Sequence, residues 1–536
     1  MNRASHQHRL GGAVAVLIAL LAVAAALTAG HLVAALTEPL ASPYLAVGNT
    51  AIDLAPQPVK ELAIELFGTA DKLALLVGMG IVIAALAAVG GLVSRRTPLP
   101  GMTMITGFGL LGMAATVSRS SLDPLALTAP VTAALVGVGA FAWLHRTASV
   151  KPQGDEPTSA QSGRDAERED AEREETTTEG AAGGRRRFLI SGVAVALASG
   201  AAGTVGQLLS GARRVSRSRQ AIGALEPDVA APPVPVGADF AESGTPTFIT
   251  RNENFYRIDT ALRVPRVPAS EWGLRVHGMV DRELNLTFDD LMNRRQLQKP
   301  ITMVCVSNPV GGSYISTAEF IGVPVRDILA ESGVRDGAEQ VLSTSVDDFT
   351  AGTPIDALTD PNRDALLAVG MNGGPLPTEH GFPVRMVTPG LYGYVSATKW
   401  VTDLEITTWD ARTYWEKRGW AERAPVKTQS RIDRPKGFEK TPAGRITVAG
   451  IAWAPHTGIE RVEVRVDQGA WRAAELSAAV NTDTWRMWRI ELDLPPGGHN
   501  VESRATDRSG YTQTAKRVPT VPDGATGRHS IFFTAE

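Results

Sequence analysis

The chain has 536 residues, with 53 basic against 56 acidic side chains and a formal net charge of −3. That near balance removes any electrostatic case for nucleic acid as a partner, and the length leaves room for roughly three or four domains. One cysteine, Cys305, excludes a disulfide within the chain.

The first third is apolar. Leu10 to Leu36, Leu73 to Val93, Met102 to Val117 and Leu125 to Leu144 run without a single Asp, Glu, Lys or Arg. A helix of about 20 such residues crosses the hydrocarbon core of a bilayer, so residues 1–146 read as a four-helix transmembrane region. Arg3 and Arg9 precede the first run, Arg95 and Arg96 follow the second, and His145 and Arg146 follow the fourth. Glu38, Asp53, Glu61 and Glu65 lie between the first two. Basic flanks mark the cytoplasmic side, so both ends of this unit are expected there. His31 is the one histidine well inside a span, and no Cys-x-x-Cys-His occurs; both facts argue against haem.

Residues 147–187 mix charges of both signs with Gly, Ser and Thr and offer almost nothing to bury, the composition of a disordered cytoplasmic linker. Arg185-Arg186-Arg187 then heads an apolar stretch ending near Leu209. Residues 188–212 are expected to be a fifth transmembrane helix or a twin-arginine (Tat-like) signal anchor, with an A-x-A pattern at Ala196-Leu197-Ala198. Either reading places the rest of the chain outside the cytoplasm. The export reading further implies a passenger that folds around a cofactor first. Residues 213–242, rich in Pro and Ala, read as an extended spacer.

From about Gly244 to Ala424 short β-runs alternate with helical stretches and Gly/Pro turns, the pattern of an α+β domain with a mixed sheet. Trp272 to Val280 and Val341 to Ser345 read as strands. Thr287 caps a short helix, and a second starts at Gly322 with proline in its first turn. Cys305 ends the β-run Ile301 to Val306 and meets Asn308-Pro309 and Gly311-Gly312 at once. A thiol delivered to such a bend can serve as a soft ligand at a cavity wall; a buried core cysteine is the plainer alternative. Between Gly370 and Trp400, His380, Arg385 and Lys399 fall on or beside two β-runs broken by glycines. Arginine's fork suits phosphate and lysine adds a point charge; unrelated surface charges would look the same from spacing alone.

Taken together, Cys305 with Asn308 after a strand, Gly-Val-Pro-Val-Arg-Asp-Ile-Leu from Gly322, and Met-Asn-Gly…Leu-Pro…His-Gly-Phe-Pro-Val-Arg…Lys-Trp from Met371 to Trp400 resemble the molybdopterin-binding domain of the sulfite oxidase superfamily. The resemblance covers nearly all of residues 245–425 and implies that 243–425 is the catalytic domain. It implies Mo-molybdopterin as cofactor, with Cys305 as both the catalytic residue and the metal's protein ligand, a soft thiolate suited to the metal. It implies cofactor binding by Arg251, Asn252, Tyr256, Arg257, Ser345, His380, Arg385, Ala397, Thr398 and Lys399. Two departures stand out. Sulfite oxidases follow the cysteine with Asn-Arg-Arg, where this chain has Asn308-Pro309-Val310, and the expected active-site tyrosine is Phe349. Fewer cations favour a less charged substrate.

Residues 426–536 read as short alternating strands split by turns, an immunoglobulin-like β-sandwich, and resemble the family's dimerisation domain, which implies a homodimer. The expectation is therefore a multi-domain, membrane-anchored, extracytoplasmic oxidoreductase. It would transfer an oxygen atom to or from a small sulfur or nitrogen compound and pass electrons to a separate protein or quinone. The rival is a membrane-anchored binding protein on a degenerate scaffold of the same family.

Overall fold

A computed structural model describes residues 9–37, 41–56, 59, 62, 66, 67, 71–119, 124–149, 189–205 and 212–536. The chain divides into two units, Met1–Ala212 with Ala261–Arg263, and Arg213–Thr260 with Val264–Glu536.

In the first unit α1 (Gly12–Leu36), α2 (Pro43–Leu54), α3 (Asp71–Val93), α4 (Leu99–Val117) and α5 (Thr128–Ser149) lie along the chain, four of them on the apolar runs. Four helical stretches, Gly12–Leu36, Lys72–Val93, Leu99–Val117 and Pro124–Ser149, are long and apolar enough to cross a membrane. No apolar run marks the short α2; Pro43 opens it, where its missing N–H costs nothing. The fourth long helix continues through Ser149 rather than ending at Arg146. Glycines set the packing distance: a Cβ on Gly101 would collide with the Phe141 ring, and one on Gly109 with Ala134. The twin-arginine segment and most of the 147–187 linker lie outside the described residues. Beyond them α6 (Leu189–Val205) is apolar and includes Ala196-Leu197-Ala198, but its described length falls short of the ~20 residues a full span takes.

The second unit starts earlier than composition implies. α7 (Ala212–Ile222) docks by burying Val215, and the Arg219 guanidinium donates to the carbonyls of Pro375 and Leu376. Leu225 enters the main core and Val229 bridges to Leu297. Ala238 and Phe240 are buried beside Met487. Residues 213–242 are thus no free spacer. Residues 213–222 are helical rather than extended, and Leu225, Ala238 and Phe240, on either side of the prolines, are buried against the domain.

Two sheets build the α+β part. One has the order β2 (Leu284–Thr287), β1 (Gly273–Gly278), β10 (Val401–Thr407), β5 (Gln340–Ser345), β6 (Thr350–Pro354). It is mixed as expected, because β1 runs parallel to β10 while the other pairs are antiparallel. The other has the order β3 (Leu297–Val304), β4 (Ile315–Pro324), β7 (Leu366–Met371), β8 (Gly374–Pro375), with β9 (Arg385–Val387) also on β7. Thr287 caps α8 (Phe288–Met292) in a reciprocal capping box with Asp290. Pro324 occupies the N-cap of α9 (Val325–Ser332), not its first turn, because β4 continues through it.

The remaining strands form two further sheets around one apolar core. Their orders are β11 (Gln429–Arg434), β13 (Gly444–Trp453), β17 (Arg486–Leu494), β16 (Glu475–Leu476), and β12 (Lys440–Thr441), β19 (His529–Ala535), β18 (Gly497–Asp507), β14 (Ile459–Val466), β15 (Arg472–Ala473). This part braces β3 directly. Thr302 donates its N–H to the Asp483 carbonyl at 2.9 Å, and its hydroxyl accepts from the Trp485 N–H at 2.8 Å. Lys299 pairs with the buried Asp483 at 2.8 Å.

Phe240 tests the docked segment. Its ring is buried under the Arg489 guanidinium at 4.2 Å. Phe240→Ala is expected to destabilise this unit by about 3 kcal/mol, read as a fall in its unfolding midpoint; an unchanged midpoint would mean the segment hangs free.

Candidate active site

β3 ends at Val304 and hands Cys305 to a loop, residues 305–314, that leads into β4. The Cys305 N–H donates to the Tyr314 carbonyl at 3.0 Å, and the Asn308 side-chain oxygen accepts from the Tyr314 N–H at 2.9 Å. The Asn308 N–H returns to the Cys305 carbonyl at 3.1 Å. The thiol is therefore held on a braced turn, with the Ser307 hydroxyl 2.9 Å from its sulfur. Burial raises the Cys305 pKa, with Ser307 opposing.

Cys305 lines a cavity of about 740 Å³, counting its open mouth. Tyr256, Arg257, Ser345, His380, Arg385, Ala397 and Lys399 line it too, drawn from chain positions far apart. Backbone pairing explains part of the convergence: Arg385 opens β9 and bridges to Lys399 across the ladder.

Arg385 is the deepest cation. Its guanidinium is buried, donates to the His380 carbonyl at 3.2 Å, touches the Met303 sulfur at 3.6 Å and lies 5.7 Å from the Phe320 ring centre. No carboxylate pairs with it among the described residues, and its Nε has no hydrogen-bond partner there. Desolvation lowers its pKa to about 10, and such a cation is costly without an anion. His380 is held neutral: burial, then Arg385, lowers its pKa to about 4. Its Nε2 lies 3.0 Å from the Asn252 carbonyl, which can only accept, so Nε2 carries the proton.

Lys399 pairs with Asp259 at 3.0 Å and sits over the Trp400 ring at 4.7 Å. Burial still draws its pKa down to about 8. Arg257 shares the same Asp259 carboxylate at 3.2 Å. Ser345 donates to Asp347 at 2.5 Å, while burial pushes that carboxyl up against the pull of Ser345 and Lys399.

Three of the residues named from sequence stand elsewhere. Arg251 is 76% exposed and pairs with Glu253. Asn252 sits behind the wall, where its carbonyl holds His380 and its side-chain oxygen accepts from Asn372. Thr398 is fully buried and bonds Ser343 at 2.6 Å. Asp259, Asp347, Tyr394 and Trp415 line the cavity, and nothing in their local sequence marks them.

Residues 261–415 match the oxidoreductase molybdopterin binding domain. Human mitochondrial sulfite oxidase is 29% identical over 314 residues, half of this chain and 56% of its own length. The NADH nitrate reductase of Spinacia oleracea is 26% identical over 319 residues, 48% of this chain and 34% of its own length. Residues 261–415 thus carry a molybdopterin-binding domain, in a chain similar to sulfite oxidases over half its length. The chain spans little more than half the length of the human relative. Among solved structures, the sulfane dehydrogenase SoxCD from Paracoccus pantotrophus is similar at 21% identity and a TM-score of 0.48, over 54% of this chain and 84% of that one.

A molybdopterin-binding domain implies Mo-molybdopterin as cofactor, and the residues present fit it. An uncompensated buried guanidinium with a lysine beside it suits a phosphate, and a lone thiol at a fixed turn suits a soft metal. Among the described residues no group of three or more His, Cys, Asp or Glu could hold a metal by itself.

The buried neutral His380 makes acid stability testable. The unfolded chain takes up a proton near the ordinary histidine pKa of 6.5, whereas the native state refuses it until about 4. The contribution is therefore present above about 6.5 and lost as pH falls towards 4. In cofactor-free protein, His380→Gln is expected to remove a pH-dependent loss on the order of 2–3 kcal/mol across that window, read by urea unfolding at several pH values. Parallel wild-type and variant curves would refute it.

Proposed function

We propose that the chain is a membrane-anchored, extracytoplasmic molybdenum–molybdopterin oxidoreductase moving an oxygen atom to or from a small sulfur or nitrogen compound. The observation that carries the reading is one cavity holding the braced Cys305 thiol and the buried, carboxylate-free Arg385. When bound, the cofactor supplies two-electron oxygen-atom transfer. Cys305 would hold the metal through its sulfur, Arg385 and Lys399 the phosphate, and neutral His380 would offer Nδ1 as an acceptor. Tyr256, Arg257, Ser345 and Ala397 would shape the rest of the cofactor wall. Asn252 would act by orienting His380. Arg251 and Thr398, which do not line the cavity, are given no direct role.

The four apolar helices support membrane attachment, and the basic flanks support placing the second unit outside the cytoplasm. The two sheets after residue 426 support an immunoglobulin-like sandwich serving a homodimer. Electrons would pass to a separate protein or quinone.

Elemental analysis of the full chain, produced with cofactor biosynthesis intact, is expected to give near one molybdenum per chain. Cys305→Ser should lose the metal or change its visible absorption. Arg385→Gln should retain at least tenfold less cofactor through loss of its phosphate partner, about 1.4 kcal/mol or more. Folded wild-type protein without molybdenum would refute the reading.

A further inference from the structure

The helix that opens the second unit has one face that the fold uses and one that it does not. α7 (Ala212–Ile222) docks through buried Val215, through Arg219 on the Pro375 and Leu376 carbonyls, and through Ser218, whose hydroxyl accepts from the Ala269 N–H at 2.9 Å. Arg214 pairs with Glu271 at 2.8 Å. Arg213, Ser216, Arg217 and Gln220 are left exposed on the opposite side of the helix.

Helix stability does not account for the free face. Arg213 and Arg217 stand four positions apart, where like charges weaken a helix. Arg213 lies in the first turn, where the helix dipole favours an acid, and that turn holds none. Neither arginine has a carboxylate partner among the described residues; the Arg217 Nε donates only to the Arg213 carbonyl, at 3.3 Å. Position in the chain does account for it. Only residues 206–211 separate α7 from α6 in the sequence, and α6 exposes Leu189, Ile190, Val193, Leu197 and Val205, side chains that a bilayer covers. So short a connection keeps α7 close to any membrane that holds α6.

We propose that the free face of α7, Arg213 with Arg217, is a contact surface for anionic phospholipid headgroups. This rests on the reading that the chain is anchored in a membrane by its apolar helices. Each guanidinium meets a headgroup phosphate through paired N–H donors, and attraction to an anionic bilayer surface adds to the covalent tether. Arg219 pins the other face of α7 to the molybdopterin-binding domain. A lipid contact on the free face therefore steadies that domain against the membrane rather than leaving it on a loose leash.

The test uses the full chain in nanodiscs of phosphatidylcholine, pure or mixed with phosphatidylglycerol, and follows hydrogen–deuterium exchange of residues 212–222 by mass spectrometry. Exchange is expected to be about tenfold slower with phosphatidylglycerol at low salt, and the difference to vanish at about 1 M NaCl. The double variant Arg213→Gln, Arg217→Gln should exchange alike in both lipids. Arg213→Lys with Arg217→Lys should restore the difference, because a point charge still attracts the headgroup. Equal exchange of the wild-type helix in the two lipids would overturn the proposal, as would a phosphatidylglycerol effect that survives in the glutamine variant. Slow exchange that depends on the acidic side chains of residues 165–175 instead of on lipid would also overturn it, and would make this chain's own charged linker the occupant. A wild-type chain that alkaline carbonate strips from liposomes would overturn the membrane reading together with this one, and the extraction alone would reveal it.

Discussion

Everything in the site depends on how β3 stops. A strand left to fray would swing its terminal thiol out of position, and a metal ligand tolerates little displacement. Two backbone bonds and the Asn308 amide close the turn around Cys305. Upstream in the same strand, Thr302 and Thr317 bond across the ladder at 2.5 Å. Gly311, at φ 81°, lets the returning chain pass where His529 leaves no room for a side chain. Arg431 braces the turn from outside by donating to the Gly312 carbonyl at 2.8 Å, while the Asn308 Nδ2 has no hydrogen-bond partner among the described residues.

Against that fixed point the cavity is charged in an unusual order. The deepest cation is the one without a carboxylate, while the shallower pair, Arg257 and Lys399, share a single Asp259. A protein optimised only for stability would do the reverse, since burying an unpaired charge costs most. Under the proposed function the arrangement is preorganisation: Arg385, without a carboxylate, would meet the cofactor's phosphate, with Lys399 beside it held in place by Asp259.

Much of this was legible in the sequence, and the failures have a common cause. The long apolar helices were readable because an uninterrupted apolar run of that length must satisfy its own backbone. The strands around Cys305 and the cations near Lys399 were readable because turn residues punctuate them. Tertiary pairing was not. Asp259 reaches Lys399 across 140 positions, and no local pattern announces that. Asn252 is named from sequence as a cofactor contact, but its carbonyl meets His380 and its side-chain oxygen accepts from Asn372, a pairing 120 positions apart. Thr398 belongs to the right segment but is buried behind the wall with Ser343. Residues 213–242 defeat a reading by composition, because Ala212–Ile222 folds as a helix and the Pro/Ala content does not show what the rest lies against.

The hydrogen bonds from Thr302 to Asp483 and Trp485 have an evolutionary consequence. The strand that presents the thiol borrows two of its partners from a segment that lies 183 positions away at Trp485. The molybdopterin-binding domain and the sheets after it cannot be shuffled independently. A recombinant joining this domain to a foreign C-terminal part would leave the Thr302 N–H without its acceptor and the Thr302 hydroxyl with Thr317 alone. Exchanging either part alone is therefore expected to loosen the strand that carries the thiol, however separable the two sequences look.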